Sequence, residues 1–400
     1  MRKFVFKAKD EAGKTVKGKV EAADERGAVT VLRGRHLLVI NLKPLLERSQ
    51  LKFLKWLQRV KADEVVNFTR QLSTMITAGL PMTEALSILE MQSSVGMAGV
   101  VGEALRDVEG GASLADALGK QKKVFSEVYV ALVRAGEAAG VLDQVLKRLA
   151  DTMEKQRDFR NKTKGALIYP AIVLTGMVVV GIVMMVFVVP RLTVMYADFG
   201  AALPLPTRIL MAVSGLMVKF WWLVALAAGW IIGGFKAWSK TAVGAVQVDR
   251  IMFRIPIVGP LRRELLFTEF SRTLSLLLAS GISILEGLRI VAAAVGSPIY
   301  RAKVMQAAVQ VEKGFPLAAT LAVDEAFPQL LSQMISVGEE TGKLDEVLGK
   351  LAGYFEGEAE TKIRGLTAAL EPIIMILLGV GVGFLIVAII MPIYNLTSKF

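Results

Sequence analysis

Residues 68–86 read FTRQLSTMITAGLPMTEAL, and residues 270–288 read FSRTLSLLLASGISILEGL. The two stretches begin 202 residues apart, and Phe, Arg, Leu, Ser, Gly, Glu and Leu occupy the same places in both. A separation this long is too large for one unit of a solenoid, so it indicates a duplicated domain of about 120 residues.

A second pair of stretches keeps the same spacing. Residues 136–150 read GEAAGVLDQVLKRLA and residues 338–352 read GEETGKLDEVLGKLA, with nine of fifteen positions identical. The spacing also relates Pro170 to Pro372, each near the start of an uncharged apolar segment. The sequence therefore predicts two copies of one domain, each followed by its own apolar helix.

The apolar segments predict an integral membrane protein. The chain has 400 residues, of which 54% are hydrophobic, and a mean hydropathy of +0.51. Residues 166–190 and 369–392 each provide enough apolar length to cross about 30 Å of hydrocarbon as a helix. Residues 216–236 are long enough to form a third transmembrane helix if Lys219 reaches back to the interface. A third span is also required if both copies lie on one side and each is followed by an outward-going helix.

The distribution of charge predicts the orientation. The formal net charge is +12, and Lys and Arg are concentrated in residues 155–164 and 236–263, beside the apolar segments. By the positive-inside rule both large polar regions are cytoplasmic, and the short connection at 191–215 is external. The opening residues have no apolar secretory core, so we expect a cytoplasmic N-terminus. We expect no nucleic-acid binding, because the basic residues are not interleaved with exposed aromatic residues.

Within each copy, apolar residues recur at helical spacing between glycines and prolines, which predicts a bundle of short antiparallel helices. The N-terminal segment instead predicts a small α+β appendage, with a hairpin, a helix near residues 24–33 and a further strand. A basic amphipathic linker helix follows, which lies on the membrane surface or is solvated. The predicted segments are 1–45 (appendage), 46–61 (linker helix), 62–165 (bundle 1), 166–190, 191–215, 216–236, 237–264 (cytoplasmic linker), 265–368 (bundle 2), 369–392 and 393–400 (C-terminal tail).

The composition removes most catalytic chemistry. There is no Cys and only one His, His36, so disulfides, thiolate zinc sites, Cys nucleophiles and multi-histidine metal sites are excluded. GEETGKL at 338–344 is not a phosphate-binding loop, because three residues rather than four separate its glycines and Leu follows the Lys. We expect no cofactor and no enzymatic activity, and any ATP to be hydrolysed by another protein.

The duplicated Gly-Glu-x-x-Gly-x-Leu motif has two interpretations. The first is structural: a helix end, a tight turn with a left-handed glycine, and the start of the next helix. The second is that Glu137 and Glu339 contact a partner. The motif residues are Gly136, Glu137, Gly140 and Leu142 in the first copy and Gly338, Glu339, Gly342 and Leu344 in the second.

The first pair of stretches carries a charge pair and a glycine in each copy. We expect ion pairs within the bundles, Arg70 with Glu84 and Arg272 with Glu286, the alternative being charges that face a partner. The intervening turns contain Gly79 and Gly281.

Glu371 is a carboxylate at the predicted edge of the membrane, directly before Pro372. It is a functional candidate, with Arg364 or Lys362 as its predicted partner. Alternatively, it is an acid at a helix N-terminus solvated by interfacial water. The first copy has Tyr169 at this position, so a symmetric role is not expected.

The doubled F-[TS]-R-x-L-S…G…E-x-L block, the doubled G-E-x-x-G-x-L-D block and the apolar helix after each copy resemble the F-protein family of type II secretion. The resemblance covers essentially the whole chain. It implies six-helix cytoplasmic bundles, self-association as a dimer or higher oligomer, and a location in the bacterial inner membrane. It also implies a platform that couples a hexameric secretion or pilus ATPase to insertion of pilins or pseudopilins, alongside other inner-membrane assembly proteins and membrane lipid.

Other classes remain as alternatives. A secondary transporter, or another multi-pass protein with duplicated domains, would also have repeats and a membrane-edge carboxylate. A membrane enzyme is disfavoured because no nucleophile, base and orienting group occur together. The sequence does not distinguish a type IV pilus from a secretion or competence pseudopilus, nor does it give the oligomer number or the ATPase-facing surface.

Overall fold

The computed structural model is dominated by helices that follow the predicted duplication. It describes residues 2–9, 15–22, 27, 29, 31, 32, 34, 38–44, 60–190 and 205–397. The predicted helix near 24–33 and the linker helix at 46–61 lie largely outside this range, as do residues 191–204 of the predicted external connection.

Near the N-terminus, three strands form an antiparallel sheet: β1 (Arg2–Lys9), β2 (Thr15–Ala22) and β3 (Leu38–Pro44). Their order is β2-β1-β3, so the first strand is central. Pairing with β2 is regular, whereas the register with β3 shifts between Lys7 and Ala8. The strands lie at the predicted hairpin and third strand, while the helical part of the appendage stays a prediction.

The first copy consists of six helices. Serine side chains begin three of them: Ser94, Ser113 and Ser126 each accept a hydrogen bond from a backbone amide of the first turn, which satisfies a donor that has no partner within the helix. The helices are α1 (Ala62–Thr77), α2 (Met82–Gln92), α3 (Val95–Glu109), α4 (Leu114–Gly119), α5 (Glu127–Ala139) and α6 (Leu142–Val183).

Among the described residues between the copies, two helices are present. The helix α7 (Leu205–Ser239) contains the predicted middle span and is interrupted by non-helical dihedral angles at Phe220. The helix α8 (Ala242–Arg254) follows it, with Thr241 as its N-cap.

The second copy repeats the order of six helices. Prolines at residues 316 and 328 begin the helices whose counterparts in the first copy begin with serine. The helices are α9 (Val258–Ala279), α10 (Ile284–Ala294), α11 (Pro298–Glu312), α12 (Leu317–Ala322), α13 (Gln329–Thr341) and α14 (Leu344–Thr397).

The last helix of each copy runs from the bundle into the apolar segment without a break. At 1.5 Å per residue, α6 is about 63 Å long and α14 about 81 Å, since they contain 42 and 54 residues. Within the described part of the chain, Leu142–Val188 and Leu344–Phe384 are long and apolar enough to cross a membrane. In each copy, therefore, one continuous helix crosses the predicted boundary between the bundle and the apolar segment. We call these two helices, α6 and α14, the rods.

The first rod differs from the second near its apolar end. Residues Met184–Val188 form one turn of π-helix. The hydroxyl of Ser214 in α7 donates a hydrogen bond to the Met185 carbonyl at 2.5 Å, and Ser214 is buried. In an apolar setting such a bond stabilises a carbonyl that the altered helix geometry could leave unpaired.

The two copies share one apolar core. Aromatic residues contribute to it in both halves, with Phe125 packed on Tyr129 at a centroid distance of 4.9 Å and Phe267 on Phe355 at 5.3 Å. Helix α5 of the first copy contacts α10 and α9 of the second, and Arg148 donates to the backbone carbonyl of Ala279. Leucines buried completely in this core include Leu72, Leu86, Leu132, Leu146, Leu274, Leu277, Leu288 and Leu348.

Candidate functional site

The glutamate of the duplicated motif holds the start of a short helix in each copy. Glu137 projects from α5 towards α4, and Glu339 projects from α13 towards α12; both are half-buried. Each carboxylate accepts hydrogen bonds from two consecutive backbone amides: Leu114 (2.6 Å) and Ala115 (2.8 Å) in the first copy, and Leu317 (2.7 Å) and Ala318 (3.1 Å) in the second. An anion at a helix N-terminus satisfies two unpaired donors and interacts favourably with the helix dipole.

The first glycine of the motif allows the following helix to approach closely. A Cβ atom at Gly136 would lie 3.0 Å from Cβ of Val145, and one at Gly338 would lie 3.0 Å from Cα of Leu344. Such contacts are tighter than ordinary van der Waals packing. The glycines therefore position the glutamates that follow them against the two helices.

The second glycine reverses the chain direction. Gly140 has φ +68° and Gly342 has φ +67°, the left-handed conformation that glycine adopts without a steric penalty. The amide of Val141 bonds to the carbonyl of Gly136 at 2.9 Å, closing the helix end. Helix α6 then begins at Leu142, which packs against the core with partial exposure.

The predicted ion pair between Arg70 and Glu84 is wrong. Arg70 instead binds two carboxylates of α6, with Nη2 at 2.5 Å from both Asp151 and Glu154. The hydrogen bonds that Arg70 donates to Glu154 and then to Asp151 raise the pKa of Arg70, and the bond that Glu154 accepts from Arg70 lowers the pKa of Glu154. Arg70 thereby joins α1 to the part of α6 that precedes its apolar segment.

The ion pair predicted for the second copy is wrong as well. Arg272 pairs with Glu356 of α14, not with Glu286. Glu154 and Glu356 each lie 84 residues after the arginine that they bind. Because Glu84 and Glu286 are closer in sequence, they were expected to be the partners instead. Glu84 and Glu286 are exposed in the first turns of α2 and α10, and no ion pair of theirs occurs within the described ranges.

The glycines in the turns before α2 and α10 also match between the copies. Gly79 has φ +85° and Gly281 has φ +82°. A substitution at either position would introduce backbone strain.

A buried polar cluster ties α8 to the second copy, and the sequence motifs did not indicate it. Asp249, only 1% exposed, accepts a hydrogen bond from Arg262 Nη2 at 2.6 Å and another from the Ser297 hydroxyl. Ser297 is also the N-cap of α11, and the guanidinium of Arg262 lies 5.4 Å from the ring centroid of Phe253. The sequence gives one indication of this cluster: Asp249 is an acidic residue on a helix whose other charged residues are basic.

Glu371, which was predicted to lie at the membrane edge, does not have its predicted partners. Lys362 pairs with Glu264, and Arg364 pairs with Glu360 at 3.4 Å. Glu371 is exposed, with no ion pair within the part of the chain that the structure describes.

The other membrane-edge residues differ between the copies. Tyr169 has an exposed fraction of 62%. The two prolines lie inside continuous helices, Pro170 buried and Pro372 exposed.

A cavity of about 490 Å³ lies between the copies. Its lining includes Tyr129 and Gln156 from the first copy and Glu269 and Arg272 from the second. Burial raises the pKa of Glu269. The cavity contains no recognisable catalytic constellation, and the described residues contain no group of His, Asp and Glu that could hold a metal ion.

The fold and the doubled motif define a helical protein with two fused copies of a six-helix bundle, each copy ending in a long apolar helix. The family model for type II secretion system protein F matches residues 68–190 and again 270–392, and the model for the N-terminal domain of the same protein matches residues 1–43. The chain belongs to the type II secretion system protein F family.

Curated relatives align with this chain over essentially its full length. The chain is 37% identical to the type IV pilus assembly protein PilC of Thermus thermophilus over 98% of each chain, and 33% identical to that of Myxococcus xanthus over 99% of this chain and 95% of the relative. It is 34% identical to the type II secretion system protein F of Pseudomonas aeruginosa, over 100% of this chain and 99% of the relative.

Proposed function

We propose that this protein is the inner-membrane platform of a filament-assembly machine, and that it couples a cytoplasmic hexameric ATPase to insertion of pilin subunits into the filament. Its membrane part comprises the apolar segments of α6, α7 and α14, and both bundles and the N-terminal appendage are cytoplasmic. Membership of the secretion F family, matched twice at the same repeat spacing, is the observation that carries this proposal.

The continuity of α6 and α14 supports a mechanical role. A helix without a break transmits displacement and rotation along its length better than a flexible linker does. Arg70 and Arg272 join the first helix of each copy to these rods, so movement of a bundle would reach the membrane.

The type IV pilus is the first candidate assembly, since the pilus relatives include the 37% match over 98% of the chain. The secretion pseudopilus is the second candidate, supported by 34% identity over the full length.

The experiment is co-purification of tagged chain from gently solubilised membranes, followed by mass spectrometry. We expect a hexameric ATPase and pilin-like proteins, whose identity assigns the filament type. An unrelated tagged membrane protein expressed at the same level is the control. A homo-oligomer that retains neither partner would contradict the proposal and favour an independent transporter.

A second experiment tests coupling through the rod. Four glycines inserted after Lys164 should interrupt α6 between bundle and membrane, and abolish filament output while leaving ATPase binding intact. The matched control is the same insertion after Gly111, in the turn between α3 and α4. Normal filament output from the Lys164 insertion would refute transmission through α6.

A further inference from the structure

A cavity of about 400 Å³ lies between two helices of the first copy and one of the second, close to where α6 reaches its apolar segment. Its walls come from α1, α6 and α9 and include the apolar side chains of Val66, Met153, Phe159 and Leu265. An apolar wall of this kind can accept the glycerol backbone and first methylenes of a lipid.

Three cations line the same cavity: Arg157, Arg160 and Lys164. They follow one another at three and four residues, so they lie along one face of α6. No carboxylate occurs among the described residues that line it. The combination favours an anionic ligand with an apolar part.

These cations are only partly neutralised. Arg160 pairs with Asp63 at 2.6 Å, but its Nε is buried with no hydrogen-bond partner in the described structure. Arg157 donates to the side-chain oxygen of Asn67 at 3.1 Å and lies 3.7 Å from Asp158. Both carboxylates are more than half exposed. An incoming anion could therefore compete with them.

Lys164 is exposed and has neither a hydrogen bond nor an ion pair within the described ranges. If the hydrocarbon begins at residue 166, then Lys164, Arg160 and Arg157 lie about 3, 9 and 14 Å below it along the helix. The headgroup layer is about 5–8 Å deep on each side. The backbone of Lys164 thus lies within the headgroup layer and that of Arg160 just below it, and the long side chain of Arg157 can reach up to a headgroup.

The second copy lacks this arrangement. The counterpart of Arg157 is Ala359, and that of Lys164 is Leu366. The counterpart of Arg160 is Lys362, which pairs with Glu264. The cationic cavity is therefore a specific feature of the first copy rather than a general consequence of the fold.

We propose that the cavity between α1, α6 and α9 binds the headgroup of an anionic phospholipid, with Arg157, Arg160 and Lys164 contacting its phosphate. The inference rests on the membrane placement of α6 in the proposed function, but not on the ATPase or the pilin. Basic pockets beside membrane helices on the cytoplasmic side are suited to such headgroups.

The experiment measures lipid binding to the full chain in neutral detergent by native mass spectrometry. The probes are dioleoylphosphatidylglycerol, dioleoylphosphatidylcholine and glycerol 3-phosphate. We expect one tightly bound phosphatidylglycerol, at least tenfold weaker binding of phosphatidylcholine, and no competition from glycerol 3-phosphate. Since each membrane-proximal cation contributes about a fivefold factor, the double substitution R157A/K164A should weaken binding about 30-fold.

Two further variants make the result specific. D63N removes the competing carboxylate from Arg160 and should tighten phosphatidylglycerol binding severalfold, which loss of a purely structural ion pair would not do. The control K162A/R364A removes two exposed cations from the same membrane depth, outside this cavity, and should leave binding within about twofold.

Equal weakening in the control pair, or equal binding of the two lipids, would overturn the proposal. Effective competition by glycerol 3-phosphate would replace the lipid with a soluble phosphate and would also overturn it. Because the experiment uses purified chain, a negative result does not affect the test for ATPase and pilin partners.

Discussion

Replacing Glu339 by alanine should destabilise the second copy through loss of a helix N-terminus. The carboxylate bonds the amides of Leu317 at 2.7 Å and Ala318 at 3.1 Å. The helix that they begin, α12, has only six residues. Its N-cap is Pro316, which provides no side-chain cap, so Glu339 is the only side chain shown to satisfy these donors in the described structure.

The magnitude follows from the two bonds. A hydrogen bond to a charged group contributes about 1.5–3 kcal/mol, and loss of a helix cap typically costs about 1 kcal/mol. Water can reach the vacated site because Glu339 is only half-buried, which reduces the loss. We expect Glu339→Ala to lower the free energy of unfolding by about 2–3 kcal/mol. For a bundle pair of this size, about 2–4 °C of melting temperature corresponds to each kcal/mol.

The assay is thermal unfolding of detergent-solubilised protein, with ATPase co-purification measured on the same samples. The matched control is Glu340→Ala, the adjacent carboxylate, which is exposed and, in the described structure, accepts a hydrogen bond only from the Ser336 hydroxyl. It should lower the melting temperature by less than about 2 °C, as surface substitutions usually do. Glu137→Ala should resemble Glu339→Ala, although Ser113 still caps α4.

An unchanged melting temperature together with loss of ATPase binding would refute the capping argument and support a partner contact for Glu339. A lowered melting temperature with ATPase binding retained at low temperature would support capping and argue against a direct contact.

Three further substitutions probe the packing and electrostatics of the second copy by thermal unfolding. Arg272→Gln should cost about 1–3 kcal/mol, because it leaves the largely buried carboxylate of Glu356 without its partner. Gly338→Ala should cost about 1–3 kcal/mol, since the new methyl would lie 3.0 Å from Leu344 Cα and force α13 and α14 apart. Glu269→Gln should raise the melting temperature at pH 7 and above and have little effect below about pH 4, because burial raises the folded-state pKa and ionisation then opposes folding.

Each substitution has a control within the same copy. Breaking the half-exposed pair Arg289–Glu312 should cost less than about 1 kcal/mol. Gly353→Ala, where a Cβ meets no atom within 4 Å, should be neutral or stabilising. Glu325→Gln, at an exposed position, should change the melting temperature by less than about 2 °C. A result in which a control equals its test variant would contradict the corresponding argument.

The repeated and periodic features of the sequence correctly predicted two duplicated helical copies. Glycine at positions 140 and 342 could be assigned a left-handed turn because this conformation is local and few other residues adopt it. The double repeat indicated two copies, and the structure gives each copy six helices. Within the part of the chain that the structure describes, two of the predicted apolar helices meet the length and composition required to cross a membrane.

The partners of the charged residues were harder to predict from the sequence. Arg70 binds Glu154, 84 residues away, because the bundle brings the middle of α1 beside α6, while Glu84 faces solvent. Similarly, nothing near Glu137 in sequence shows that its partners are amides of a helix more than 20 residues earlier. Sequence periodicity identifies which faces are buried, but the neighbour across a helix interface depends on three-dimensional packing.

The buried polar groups show how the duplicated copies have diverged on one backbone. In the first copy the hydroxyl of Thr69 lies 3.1 Å from that of Tyr129, within the core. In the second copy the equivalents are Ser271 and Leu331, and the Ser271 hydroxyl is buried with no partner in the described structure. A buried unpaired hydroxyl costs about 1–3 kcal/mol, whereas leucine at 331 adds apolar burial at the same place. The second copy therefore exchanges a specific hydrogen bond for apolar packing, and one common fold accommodates different buried polar groups and different charges near the two apolar segments.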